Sequence, residues 1–399
     1  MPDRTTDFLL IGGGIASATA AATLREEGFD GSILLVGREP DPPYHRPPAS
    51  KSYLRGTEER DGVLVHPQAW WDEHAVELLT RTSVLDLHPR ARTARLSTKE
   101  EVGFGTALLA TGAMVRRLPV DGSHLEGIHY LRTLGNADAI RRDTDAAERV
   151  VCVGGSYIGC EVAATLTERG RRVTILMQEA EPLSRAFGDE AGRRLRAVLE
   201  EHGVEIVGSD EVERFDGEGE RVGAVVTRGG RVLPADAVVC GVGVQPDVML
   251  ARKAGLDLGE LGGVRCDSRL RTSAEGIWAA GDICEFDSVV HGRVMRIEHE
   301  DVAARQGATA ARNMLGQDRA HDDVPYFFSD LGDWASIEYV GPVESYDEEV
   351  VRGDGAEFAV WYLEGGRLRG HLSVGGAGDL DRARELIASG EPVPAGALA

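Results

Sequence analysis

Two groups of small residues recur in this chain at one spacing. Gly12, Gly14 and Ser17 form the first; Gly154, Ser156 and Gly159 form the second. Glycine in such a group lets the backbone come close to a pyrophosphate, and a helix starting there offers amide donors and the positive end of its dipole. The chemistry needs a strand before the turn and a helix after it. Residues 8–11 are a short apolar run ahead of the first group, and the alanine-rich IASATAAATLREEG follows. The run RVVCV precedes the second group, and a helical stretch and the strand RRVTILM come after it. Beyond the next strand a carboxylate can accept bonds from an adenosine ribose. Glu39 has that place in the first unit. In the second, the strand ends at Met177, and Gln178 and Glu179 follow; no arginine cluster is on hand for a 2′-phosphate, so Glu179 favours NADH over NADPH. Ser156 replaces the central glycine, where backbone approach is closest, and should weaken or reshape that site. Two such units suggest two dinucleotides, and a bound flavin with an exchanging nicotinamide nucleotide makes chemical sense.

The elements around these turns supply further candidates. The apolar strand at 101–112 ends in a Thr111-Gly112 turn. DAVVCGVGVQPD, with Gly243, is another strand and glycine turn that can return the chain to the first unit. A strand at 276–280 leads to Gly281 and Asp282, a carboxylate able to hold a polar cofactor hydroxyl or to stabilise a turn. The next helix starts near Glu300. The proline-dense PPYHRPPASKSYL holds two cations, Arg46 and Lys51, on what should be a rigid segment poor in helix.

The whole chain bounds what this can be. With 399 residues and 42% apolar content, it can bury the cores of two or three domains. A net charge of −22 disfavours non-specific nucleic-acid binding. Its five cysteines include no CxxC pair, so neither a zinc site nor a redox dithiol of that type is expected. No apolar run is long enough for a membrane span, and the start does not read as a signal peptide, so a cytoplasmic setting is expected. Short aromatic and β-branched runs with glycine turns fill the tail, and a helix follows with Asp379 or Asp381 at its cap. Residues around Gly122 read as a linker.

In order along the chain, GGGIAS, PYHRPPASKSYL, ALLATGA, GGSYIGCEVAATL, GVGVQPD, EGIWAAGD, RIEHEDVAARQG and PYFFSDLG give a combined resemblance that covers nearly all of it. The sequence resembles the FAD-dependent pyridine nucleotide oxidoreductases of the glutathione-reductase structural type. Within them it looks most like the reductases that serve ferredoxins and rubredoxins in oxygenase systems, with the apoptosis-inducing-factor proteins as relatives. The resemblance implies an α/β fold with two Rossmann-like dinucleotide-binding domains and a C-terminal α+β domain. Residues 1–119 and 239–320 would bind FAD, residues 120–238 NAD(P), and residues 321–399 would form the C-terminal domain.

The resemblance also implies roles. Gly12, Gly14 and the helix beside them would hold the FAD pyrophosphate, Glu39 its adenosine ribose and Arg46 its phosphate–ribose region. Lys51 would lie near the reactive N5 edge of the isoalloxazine, and Asp282 would bind the ribityl or pyrophosphate part. Glu161 would sit where nicotinamide enters, and Glu298, His299 and Glu300 near the pyrimidine side of the flavin. The implied reaction takes hydride from NADH, less readily NADPH, onto FAD N5. Single electrons would then pass to a [2Fe-2S] ferredoxin or rubredoxin-like protein serving an oxygenase such as a cytochrome P450 or Rieske dioxygenase. The chain would act as a monomer or homodimer. An NAD(P)H oxidase or quinone diaphorase is the alternative, as is a slow flavoprotein of redox-dependent binding. Three departures bear on this. No cysteine precedes Cys152, which disfavours disulfide reduction. Glu300 stands where many ferredoxin reductases carry tryptophan. Ser156 and Met177 alter the NAD site itself.

Overall fold

The computed structural model describes residues 2–343 and 345–398, and for Glu218 the backbone alone. The chain divides into two compact units, residues 1–45, 61–114 and 245–323 in one and residues 46–60, 115–244 and 324–399 in the other.

The first unit is built on a mixed sheet whose parallel centre is extended by the antiparallel strands Thr93–Leu96 and Val84–His88. Strand Arg4–Ile11 lies between Ile33–Val36 and Glu101–Leu109, parallel to both. Val76–Leu79 pairs beyond Ile33–Val36, and Ile277–Ala279 pairs with Glu101–Leu109, both parallel. All four residues of Ile33–Val36 are buried, as a strand covered on both faces requires. The first strand starts at Arg4, ahead of the apolar run at 8–11, because its polar half is also paired, from Arg4 opposite Val102 onward. Helix Ile15–Glu26 packs against helix Glu300–Met314. A Cβ on Gly307 would lie 2.2 Å from the Ala16 carbonyl oxygen, so the two backbones approach more closely than any side chain would allow.

The second unit holds a five-stranded sheet in the order Glu205–Val207, Arg172–Leu176, Arg149–Val153, Ala237–Cys240, Ile128–Tyr130, every pair parallel. Helix Tyr157–Glu168 packs on three of these strands, Arg149–Val153, Arg172–Leu176 and Ala237–Cys240, and against strand Tyr326–Leu331. The tail is a five-stranded antiparallel sheet carrying helix Leu380–Ser389. Asp379 is that helix's cap, its carboxylate accepting from the Arg382 amide at 3.0 Å.

Two local expectations change. The proline-dense segment is not poor in helix: Pro47–Ser50 forms a 3₁₀ turn and Ser52–Arg55 one helical turn. Proline is tolerated in a first turn, where its missing N–H leaves no bond unmade. The region around Gly122 is not a loose linker either. The Phe215 amide donates to the Asp121 carbonyl at 2.9 Å, and a Cβ on Gly122 would lie 2.0 Å from the Phe215 carbonyl oxygen.

Candidate functional site

In the first unit the glycine turn follows strand Arg4–Ile11 directly. Gly12 has φ +127°, and a Cβ there would lie 2.0 Å from the Ala110 carbonyl oxygen of the adjacent strand, so only glycine fits. Gly14 caps helix Ile15–Glu26 with no side-chain bond to the first amides, and a Cβ on it would meet nothing within 4 Å. The first turn carries no acid. Uncapped amides beside open space suit an anion of pyrophosphate type, and the residues present therefore fit a dinucleotide. Ser17 is fully buried, its hydroxyl without a hydrogen-bond partner.

Around this turn, the Tyr44 hydroxyl donates to Glu39 at 2.5 Å. Thr111 donates its hydroxyl proton to the Asp247 carbonyl at 2.7 Å, and the Asp247 amide returns a bond to Gly112 at 2.9 Å. The Gly281 amide donates to the side-chain oxygen of buried Gln306 at 2.8 Å, which fixes the turn that carries Asp282. Arg296 donates to the Asp282 carbonyl at 3.1 Å and to Glu298 at 2.6 Å. His299 is the cap residue of helix Glu300–Met314, and Glu300, in its first turn, lies 2.7 Å from His45 Nδ1.

The second unit repeats the turn with different chemistry. Gly154 has φ +109°, and a Cβ on it would lie 2.3 Å from the Gly241 carbonyl oxygen. A Cβ on Gly159 would come within 1.9 Å of the Gly154 carbonyl oxygen. Ser156 caps helix Tyr157–Glu168, yet its hydroxyl donates to the Gly241 carbonyl at 3.0 Å and leaves the helix amides without a side-chain partner. Met177 is buried under the turn, its sulfur 2.3 Å from where a Cβ on Gly155 would be. Glu179 is ion-paired with Arg185. Gln178 donates to Glu211 at 2.6 Å, and Glu211 pairs with Arg228 at 2.6 Å. The Gly243 carbonyl accepts from the Arg116 amide at 3.0 Å.

Arg46 and Lys51 belong to this second unit. Arg46 donates to the Arg132 carbonyl at 2.7 Å. Lys51 Nζ lies 2.5 Å from Glu161 Oε1, on helix Tyr157–Glu168, with side-chain exposures of 12% and 4%. Two hydroxyls complete the carboxylate: Ser50 donates to Oε2 at 2.5 Å and Ser329 to Oε1 at 2.6 Å. Neither serine stood out in the sequence. Ser50 directly precedes Lys51, and Ser329 sits in the YFFSD run, but their partner is 111 and 168 residues away. Tyr44 lies within the proline-dense segment and Gln306 within RIEHEDVAARQG, but each acts by supporting another candidate, Tyr44 at Glu39 and Gln306 at the Gly281–Asp282 turn, which no spacing in the sequence indicates.

The electrostatics follow from burial. Burial pushes the Asp330 carboxyl up, while Lys51 nearby opposes the shift. Burial also raises the Tyr157 phenol, with Tyr339 and Glu161 adding to it. All five cysteines are buried, and burial raises the thiols of Cys152, Cys160, Cys240 and Cys284. Such thiols are inert in exchange. Among the described residues no group of His, Cys, Asp and Glu could hold a metal ion, and no helix is long and apolar enough to cross a membrane.

Residues 6–307 match the family model described as pyridine nucleotide-disulphide oxidoreductase, and residues 326–399 match the model described as reductase C-terminal. The chain is 34% identical over 388 residues to rhodocoxin reductase of Rhodococcus erythropolis, covering 97% of this chain and 90% of that one. It is 34% identical to the ferredoxin–NAD(+) reductase component of the anthranilate 1,2-dioxygenase system of Burkholderia cepacia, covering 96% and 94%. Among solved structures, the covalent putidaredoxin reductase–putidaredoxin complex matches with a TM-score of 0.94 and 32% identity, covering 98% of this chain and 95% of that one.

Proposed function

This chain belongs to the pyridine nucleotide-disulphide oxidoreductase family, and from that premise we propose that it is an NADH-dependent ferredoxin reductase. Membership makes it an FAD flavoprotein oxidoreductase that works with NADH. The electron acceptor we assign is a small iron–sulfur protein of the ferredoxin class, of [2Fe-2S] type, that feeds an oxygenase. The ferredoxin reductases among its relatives, alike over almost their whole length, support that acceptor class.

The observation that carries the reading is the buried Lys51–Glu161 pair in a chain whose cysteines are all buried. The site offers a fixed cation and no accessible thiol, which suits electron transfer to a separate protein rather than disulfide exchange. Bound FAD supplies the conversion between a two-electron donor and a one-electron acceptor. The chain's residues bind and orient. Gly12 and Gly14 admit the FAD pyrophosphate to the first helix, and Glu39, oriented by Tyr44, accepts from the ribose. The Thr111–Gly112 and Gly281–Asp282 turns border the same cofactor, the second held by Gln306. Arg46 serves its phosphate–ribose region, and Lys51, held by Glu161, presents a positive charge to the flavin. Gly154, Ser156 and Gly159 receive the NADH pyrophosphate, Glu179 its ribose, and Gly243 borders that site. Glu298, His299 and Glu300 border the flavin's pyrimidine side. FAD thus belongs to residues 1–119 and 239–320, NADH to residues 120–238, and residues 321–399 form the C-terminal domain.

Anaerobic stopped-flow reduction at about 450 nm, with NADH and NADPH in parallel, tests the donor; its near-attack requirement is about 3–3.5 Å. Cytochrome c reduction with and without an added ferredoxin tests the acceptor. Rapid bleaching by NADH and ferredoxin-dependent cytochrome reduction are expected. Fast turnover of oxygen or quinone without any added protein would replace this reading with an oxidase or diaphorase.

A further inference from the structure

We propose that Ser329 is a positioning residue for the Lys51–Glu161 pair, which makes a strand of the C-terminal sheet part of the reducing centre. The proposal deepens the reading above and rests on its placement of Lys51 beside the flavin.

Glu161 is surrounded by donors from two other segments of the chain. Its Oε1 accepts from Lys51 Nζ at 2.5 Å and from Ser329 Oγ at 2.6 Å, and its Oε2 accepts from Ser50 Oγ at 2.5 Å. Ser50 and Ser329 are 1% and 0% exposed, so water does not compete for these bonds. A buried carboxylate is costly unless donors fill its lone pairs. The ammonium alone would leave Oε2 bare. Each serine hydroxyl has one proton to give: that of Ser329 goes to Glu161, and for Ser50 the Glu161 oxygen at 2.5 Å is a nearer acceptor than the Pro47 carbonyl at 3.1 Å.

The two hydroxyls come from differently built supports. Ser50 ends the proline turn Pro47–Ser50, and its carbonyl accepts from Thr165 Oγ1 at 2.8 Å, one turn beyond Glu161 on the same helix. The segment that carries Lys51 is thereby tied to that helix twice. Ser329 lies on strand Tyr326–Leu331, in register with Ile337 of the next strand. Ser329 and Lys51 share one oxygen. The hydroxyl occupies one side of Oε1 and confines the ammonium to the other. Without it, Lys51 can centre on the carboxylate, and its charge withdraws toward Glu161. The influence of a fixed charge on a neighbouring redox group depends on that distance. Ser329 thus sets how much of the Lys51 charge the flavin feels.

The test uses the FAD-loaded protein and the variants Ser329→Ala, Ser329→Thr, Lys51→Met and the Ser329→Ala/Lys51→Met double. The flavin midpoint potential is read by dye equilibration, with kcat and KM for NADH alongside. Ser329→Ala should give a more negative potential and a kcat lower by about five- to tenfold, with KM unmoved. Ser329→Thr should restore both. In the Lys51→Met background, Ser329→Ala should add nothing, because the residue it acts through is gone. A Ser329→Ala protein that only melts earlier, with an unchanged potential, overturns the proposal. So does an equal shift in the two backgrounds. If Lys51→Met leaves the potential unmoved, the placement of Lys51 beside the flavin fails and this proposal with it. If NADH does not reduce the wild-type protein, the donor assignment fails, but the potential and its coupling between Ser329 and Lys51 can still be read.

Discussion

The two glycine turns share one backbone plan and differ at two of its three key positions. Both open with a glycine at positive φ whose missing side chain lets a neighbouring carbonyl pass, that of Ala110 in one and Gly241 in the other. Both lead into twelve-residue helices with no side-chain cap bond. At the centre, Gly14 faces open space, whereas Ser156 is turned back onto Gly241. At the third position, Ser17 is accommodated in full burial, whereas Gly159 has the Gly154 carbonyl where a Cβ would go. At the carboxylates proposed to meet the riboses, Glu39 accepts a tyrosine hydroxyl, while Glu179 is paired with Arg185. The first turn is left open for close approach, and the second is partly filled by its own side chains. That is the difference expected if, as proposed, the first turn holds FAD, which stays, and the second NADH, which must leave after each turnover.

The largest effects should come from the shared feature. Gly12→Ala places a methyl on the Ala110 carbonyl in a strained backbone conformation, and the purified protein should carry no FAD absorbance. Gly154→Ala places a methyl on the Gly241 carbonyl in the same strained way, but in the other turn. That protein should remain yellow, while its reduction by NADH slows about 100-fold, equivalent to ~2.7 kcal/mol. Loss of flavin from both variants would break the division of cofactors between the turns.

Both turns are legible in the sequence because strand, glycine and helix are neighbours along the chain, and local pattern suffices. Lys51 and Glu161 stand out separately, one from its proline-dense segment and the other from its helix. That they are one ion pair is not legible, since nothing local relates positions so far apart. Ser329 is harder still. A serine in a run of β-forming residues reads as a turn or a surface position, and only the packing of Tyr326–Leu331 against helix Tyr157–Glu168 turns it inward. The pairing of Arg185 with Glu179 is not legible either, because it forms across the left-handed backbone at Leu183, which carries the chain into the following helix.

The ribose end sharpens the comparison next. Glu179→Gln keeps the shape and removes the charge. It should raise KM for NADH about tenfold, with kcat little changed, because a charged hydrogen bond is lost from ground and transition state alike. KM for NADPH should rise less or fall, narrowing the preference. An unchanged ratio of kcat/KM for the two nucleotides would remove Glu179 from the specificity argument. A smaller change is expected at the centre of the turn. Ser156→Gly frees the Gly241 carbonyl and gives the second turn the openness of the first, so KM for NADH should fall about threefold. A rise would mean that the serine helps to hold the nucleotide.

The smallest effect is expected at Ser17, and its size is informative because it occupies the position equivalent to Gly159. Its hydroxyl is buried with no hydrogen-bond partner, so it contributes a desolvation cost without a compensating bond. Ser17→Ala removes that cost and keeps the Cβ that the site already accommodates. The protein should retain full FAD and melt at the same temperature or a few degrees higher, corresponding to up to ~1 kcal/mol. If Ser17→Ala instead loses flavin, the hydroxyl has a partner in the loaded protein, and the third position of the first turn is a cofactor contact rather than a packing position. The same small substitution would then separate the two turns for different reasons: in the second because no side chain fits, in the first because a particular one is used.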